Sequence, residues 1–318
     1  MPAARKSLVP FYEALAEHRR RLARVADRRA LPRLKRLYDE AHDALARALR
    51  TRLRAGLGDT FTTHQQRIVL AQLRLGQRGL AAGMAGELAD VTSEASVDSV
   101  RALARGIARL EKHFTGAEVT VPIDSAWKLR ELVTKRRASL DTMHRRSMAR
   151  WGARLFTKVH EQTSLALAME KTTAQAIEMI PEAAAAEWWQ GERIVRTETS
   201  WAINSTNADG IKEAADVLPD IKKRWSEHVD DDTLQPLDDR VAPDSLAMHG
   251  QVVDADGEFR FPDADPGEVG EKEAARLSAA GPWFAPPNRP NDRATIQPWR
   301  REWGISAWIW DGGRKVWL

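Results

Sequence analysis

The side chains with the most evident chemistry are acidic and lie in the last third of the chain. Asp230-Asp231-Asp232, Asp238-Asp239 and the run from Asp254 to Asp265 supply oxygen donors, with Asp244 and His249 between them. Carboxylates of this kind hold hard divalent cations, so a metal-dependent nuclease built on Asp239, Asp244 and His249 is the enzymatic reading of this segment. The spacing completes no recognised site. Asp254-x-Asp256-Gly257 is a fragment of a calcium loop without its distal Glu, and no Gly-x-x-x-x-Gly-Lys-Ser/Thr run offers a phosphate cradle. Solvated acidic loops are the plainer reading. Arg196 and Glu198 are two apart on an expected helix and so face different ways, which argues against a catalytic pair.

Zero Cys excludes disulfides and thiolate nucleophiles, which suits assembly in a reducing cytoplasm. The sequence calls for no cofactor. With 318 residues, 43% hydrophobic and 30% charged, the chain can bury a real core in two domains. Its start, Met1 to Arg20, lacks a signal-like apolar run, and no window reaches the ~18 apolar residues of a membrane helix. Neither secretion nor a membrane partner is expected.

The net charge of +4 hides an asymmetry: residues 1–160 carry 32 Lys and Arg against 16 Asp and Glu, and residues 161–318 carry 17 against 29. A basic half is drawn to polyanions. Arg21, Arg24 and Arg28 share a helical stripe within the densest basic run, where like charges repel by a few tenths of a kcal/mol per pair unless acids or phosphates are present. Further along, Leu140, Met148, Trp151, Leu155 and Val159 fall on one helical face and Arg145, Arg146 and Arg150 on the other. These six arginines are the candidate contacts for double-stranded DNA, bound without sequence preference. Arginines that only solvate helical faces are the alternative.

The elements that must position these groups are mainly helices. Apolar residues recur at helical spacing from Leu8 to Ala26, break at Leu31-Pro32, and resume from Leu34 to Leu53. Gly56 and Gly58 mark the next break. A third helix follows through Ile68 and Leu75, then a shorter one from Leu80 to Val91 before Ser93, and the pattern extends from Val97 to Gly116. Val119, Val121 and Ile123 suggest an extended connector, with Asp124 capping a long helix. Thr172-Thr173 is an N-cap candidate for a helix ending at Pro181, and another helix runs from Glu192 to Ala215. From Asp220 the period changes: Ile221–Trp225, Gly250–Val253 and Glu258–Phe261 read as short strands, and Pro262–Arg276 as an exposed loop entering a short helix. The expected fold class is α+β overall: a mainly α-helical basic domain over 1–171, a small α+β domain over 172–300 and a Trp-rich tail over 301–318.

Five of the twelve Trp lie in the last twenty residues. Ile305–Trp310 and Arg314–Leu318, joined by Asp311-Gly312-Gly313, spell a hairpin. Trp308, Trp310 and Trp317 form either a miniature core or an anchor on another protein, and partner docking is the favoured expectation.

One order of motifs has a family likeness. Arg196-Thr197-Glu198, Lys223-Arg224-Trp225, Gly250-Gln251-Val252-Val253 after His249, and Pro286-Pro287-Asn288 followed by Arg293 resemble, over roughly residues 172–300, the C-terminal domain of the Mu F-like minor head proteins of tailed phages. The resemblance implies a structural, non-enzymatic protein of the virion. It would sit in few copies at the head interior or portal vertex, bind the portal protein, with the major capsid or scaffolding protein as further candidate partners, and act in head assembly and genome packaging or delivery. A nucleic-acid-binding protein unrelated to virions is the remaining reading. In the family's register a His falls on Ser245 and two Cys on Asp292 and Ala294. Replacing all three removes the ligand types of a tetrahedral zinc site, so no structural metal is expected.

Overall fold

The computed structural model describes residues 9–229, 235–237, 241, 243–260, 284–286, 294–311 and 314–318. Four long helices come first: α1 (Val9–Arg52), α2 (Thr63–Thr115), α3 (Ala126–Ala168) and α4 (Thr173–Ala214). The described remainder contains β1 (Lys222–Ser226), α5 (Pro243–Ala247), β2 (Val252–Asp254), β3 (Thr295–Trp299), β4 (Trp308–Asp311) and β5 (Arg314–Trp317). A mainly helical N-terminal part followed by a small α+β part is therefore what the chain adopts, and Trp308–Asp311 pairs antiparallel with Arg314–Trp317 as the terminal hairpin.

Local chemistry sets the helix ends. Thr62 and Gln65 form a reciprocal capping box at the start of α2, with the Thr62 N–H donating to Gln65 Oε1 at 2.8 Å and the Gln65 N–H to Thr62 Oγ1 at 3.3 Å. Thr172 and Gln175 repeat the device at α4, at 3.0 and 3.3 Å, as the Thr172-Thr173 signal suggested. Gly116, at φ 74°, closes α2. Ahead of α3, Ser125 Oγ accepts from the Lys128 N–H at 3.3 Å. The cap is thus one residue beyond the expected Asp124, which falls inside a short 3-10 turn, Pro122–Asp124.

Several expected breaks are absent. α1 runs through Pro32 and α4 through Pro181, although an interior Pro costs a helix ~3 kcal/mol. Burial offsets this: Ala30 and Leu34 flank the first proline at 0% exposure, Ile177, Ile180 and Ala183 bracket the second, and each buried Leu or Ile contributes about 1.5–3 kcal/mol. The segments expected around Ile68–Leu75, Leu80–Val91 and Val97–Phe114 are one 53-residue helix. Met84, Leu88, Val91, Ala95 and Val100 line its buried side without interruption, so Ser93 has no reason to end it.

The chain divides into two compact units: one gathers residues 1–26, 92–137 and 196–318, the other 27–91 and 138–195. Composition drew segments at 171 and 300, whereas compactness groups helix portions distant in sequence. In the second unit, Tyr38 lies against Trp151 and Trp188 at ring-centroid distances of 5.1 and 5.3 Å. Gly191 allows this packing, because a Cβ there would come within 3.1 Å of Trp151. The loop before α2 is stitched to the α3–α4 turn by Phe61 N–H to Lys171 O at 2.8 Å and Thr173 N–H to Asp59 O at 3.0 Å.

In the first unit, parts of α2, α3 and α4 enclose one core with the sheet, joining Leu103, Ile107, Ile123, Ile211, Trp225, Phe259, Ile296 and Trp303. The sheet order is β2-β1-β3, antiparallel throughout, and Ser226 pairs with Thr295 at one end of the β1–β3 ladder. β3 has no counterpart among the expected strands. Of the expected strand 258–261, Phe259 is a buried residue outside the named strands and Phe261 lies outside the described residues. Residues 262–276 and the hairpin turn Gly312-Gly313 also lie outside them.

Candidate functional site

Alternation along β1 puts Lys223 and Trp225 on one face, and Glu227 follows in the same phase. All three are buried. Charged side chains on a core face must find partners or destabilise the fold. Lys223 Nζ donates to the carbonyls of Gly257 at 2.6 Å and Phe284 at 3.2 Å, and it stands 3.6 Å from the Phe284 ring centroid. Burial lowers its pKa to about 8.

Glu227 is the centre of a polar cluster. One of its carboxylate oxygens, Oε1, accepts from Trp225 Nε1 at 2.7 Å and from the Ser245 hydroxyl. Its N–H donates to His249 Nδ1 at 3.1 Å, and its carbonyl accepts from Arg20 Nη2 at 2.8 Å. Ser245 is on α5, and a turn carries the chain from there to His249, with His249 N–H to Leu246 O at 3.0 Å. Accepting at Nδ1 leaves the proton of neutral His249 on Nε2, where it faces the Arg224 guanidinium 3.2 Å away, a donor with no acceptor to offer, so this contact is packing and not a hydrogen bond. Both ring nitrogens are thus turned into the protein, and neither is presented as a ligand or as a general base.

Gly250 completes the corner. Its φ of +82° belongs to the left-handed region, and a Cβ would come within 3.2 Å of Trp308. Its N–H donates to Trp225 O at 2.9 Å, while its carbonyl accepts from the Trp308 N–H at 2.9 Å. The Trp308 indole donates to His249 O at 2.7 Å. Trp225, His249, Gly250 and Trp308 therefore form one knot.

The tail residues separate. Trp308 is 0% exposed and belongs to the core, which corrects its expected use as a docking side chain: its indole is consumed by His249 and its ring by Gly250. Trp317 is 57% exposed, with Lys315 Nζ 4.7 Å from its ring centroid. Of Trp310 only the backbone, in β4, is described.

Arg196 is exposed on α4 and Glu198 is half-buried there. Arg21, Arg24 and Arg28 are exposed on α1, Arg24 in an ion pair with Glu17. Arg145, Arg146 and Arg150 are exposed on α3, where Arg145 Nε meets Asp141 Oδ2 at 2.7 Å. Asn288, Asp292, Arg293, Asp239 and the acidic stretches 230–232 and 238–239 lie outside the described residues, and of Asp244 only its backbone place in α5 is described. Among the described residues no three His, Asp or Glu side chains converge as a metal-ion set.

Sequence reasoning missed several buried polar groups. Asn204 of α4 grips β3 like a neighbouring strand, donating to Ala294 O at 2.9 Å and accepting from the Ile296 N–H at 3.3 Å. Arg300 bridges Glu111 at 2.5 Å and Asp220 at 2.6 Å, and Trp303 Nε1 donates to Glu111 at 3.2 Å. Burial works against the Glu111 carboxylate, yet the hydrogen bonds from Arg300, Thr115 and Trp303 hold its pKa below the usual value. The Lys223-x-Trp225-x-Glu227 alternation was the signal available for Glu227.

Comparison with family models, with curated proteins and with solved structures gives no match for this chain.

Proposed function

We propose that this chain is a structural minor head protein of a tailed phage, with its C-terminal part of the Mu F-like kind. The observation that carries the reading is that the separated segments on which the likeness rests, Lys223-Arg224-Trp225 and Gly250-Gln251, are joined by direct backbone hydrogen bonds, Gly250 N–H to Trp225 O and Trp225 N–H to Gln251 O. The ligand-like positions of the family register support it too. Ser245 donates its hydroxyl to the buried Glu227 carboxylate, and Ala294 is buried beside the end of β3, so both serve the packing of this corner. His249 is buried and its Nδ1 is committed to the Glu227 N–H, which favours a structural role over nuclease chemistry.

In this role the protein binds the portal, is present in few copies, and uses exposed arginines on α1 and α3 against packaged double-stranded DNA. No helix among the described residues is long and apolar enough to cross a membrane. Quantitative mass spectrometry of gradient-purified particles is the test, with co-purification of the portal protein as its second arm. The expected result is a low, fixed stoichiometry in virions or procapsids. Recovery solely in the soluble lysate would refute the reading.

A further inference from the structure

α1 and α2 come together closely in the first unit, since a Cβ on Gly106 would lie 3.2 Å from Leu15. Beside this contact is a groove of about 550 Å³. Arg101, Arg105 and Arg109 line it at intervals of one helical turn, so their charges are spaced about 6 Å apart along the axis. Arg101 has a carboxylate 4.0 Å away, on Asp98. Arg105 and Arg109 make no ion pair among the described residues, and both are exposed. Like charges at i,i+4 destabilise a helix unless something neutralises them.

We propose that this groove binds the phosphodiester backbone of a nucleic-acid strand, with Arg105 and Arg109 as its principal contacts and Arg101 at its end. Guanidinium matches phosphate in shape and charge. A row of three at regular spacing suits a polymer with a repeating charge better than a small anion, which would meet one or two of them. Leu15 and Ala102 in the lining present no side-chain acceptor to compete for the guanidiniums. His18, at the same groove, adds little positive charge near neutral pH, because burial and the charges of Arg19 and Arg21 lower its pKa. Asp98 is the carboxylate that phosphate must displace from Arg101. The inference stands on the groove alone and is independent of the virion reading.

The test is binding of the full chain to a fluorescent random-sequence DNA duplex across a salt series, by anisotropy. Each phosphate neutralised contributes about 0.9 to the log–log salt slope. Joint Arg105→Gln and Arg109→Gln replacement should therefore lower the slope by about 1.8, with an unchanged thermal melt as the check on folding. Joint Arg52→Gln and Arg67→Gln replacement, which removes the same charge from exposed positions outside the groove, should leave the slope as it is. The proposal is overturned by absence of binding at low salt, by an unchanged slope in the groove variant, or by an equal fall in both variants. A labelled poly-glutamate peptide is the second probe: its release by the groove variant with the DNA slope unaltered would assign the groove to an acidic peptide and likewise overturn the proposal.

Discussion

The backbone N–H of Glu227 ends on the ring of His249, 3.1 Å from Nδ1, while the Glu227 carboxylate holds Trp225 and Ser245. A strand end and a turn are thereby fixed by one residue using both its main chain and its side chain. Replacing His249 with Ala should cost about 1–3 kcal/mol, because the buried Glu227 N–H loses its acceptor. His249→Asn, whose amide oxygen can take the place of Nδ1, should recover part of that loss. Urea unfolding measures both. Equal stability of wild type and His249→Ala would show that the N–H is satisfied elsewhere.

A different histidine should give the second unit a pH dependence. His42 is 8% exposed and packs edge-on to Tyr38 at 4.4 Å, and burial lowers its pKa from 6.5 to about 4. The folded state keeps the ring neutral, so the unfolded chain binds more protons between these values. Stability from this site is complete above pH 6.5 and is lost as pH falls towards 4, a change on the order of 3 kcal/mol. Melting His42→Phe beside the wild type over pH 4–7 isolates the contribution. Parallel curves would place the acid sensitivity in other groups.

The fold class, the N-cap at Thr172, the end of α2 at Gly116 and the terminal hairpin were legible because each rests on local chemistry: period, cap and turn. Pro32 and Pro181 misled for a physical reason. A helix break is a local preference of a few kcal/mol, and the burial that overrides it belongs to partners far along the chain. The same limit hid β3, whose place depends on Asn204 of α4, and the partners of Glu227, which come from α1, α5 and the turn after it. At the site, the order of Trp225, His249 and Gly250 could be read, but which groups satisfy His249 depended on tertiary register.

The turn after α3 stores strain that can be released. Glu170 has φ 52°, and Lys171 N–H to Ala166 O at 3.0 Å with Glu170 N–H to Leu167 O at 3.2 Å form the paired bonds that usually end on Gly. A left-handed non-Gly residue costs roughly 1–2 kcal/mol, whereas Gly loses about 0.5–1 in chain entropy. Glu170→Gly should therefore stabilise the protein by about 0.5–1 kcal/mol, and Glu170→Ala should not. A gain of the same size in both variants would trace the effect to the removed charge and not to φ.

The last prediction separates the two faces of the Trp-rich tail. Trp308 is buried, donates to His249 O at 2.7 Å and packs on Gly250, so truncation before Ile305 strips a core side chain and its bonds from the corner. Loss of a buried Trp costs about 3–5 kcal/mol against a total stability of about 5–15. The truncated chain should lose much or all of its cooperative melt by circular dichroism. Trp317 is 57% exposed, so Trp317→Ala should leave the melt nearly unchanged. If Trp317 anchors a head partner, the same substitution should weaken capture by the purified portal protein by roughly 2 kcal/mol, about a thirtyfold loss of affinity. Capture at wild-type strength would leave the exposed ring no part in docking, and a truncated chain that still melts cooperatively would show that the corner stands without Trp308.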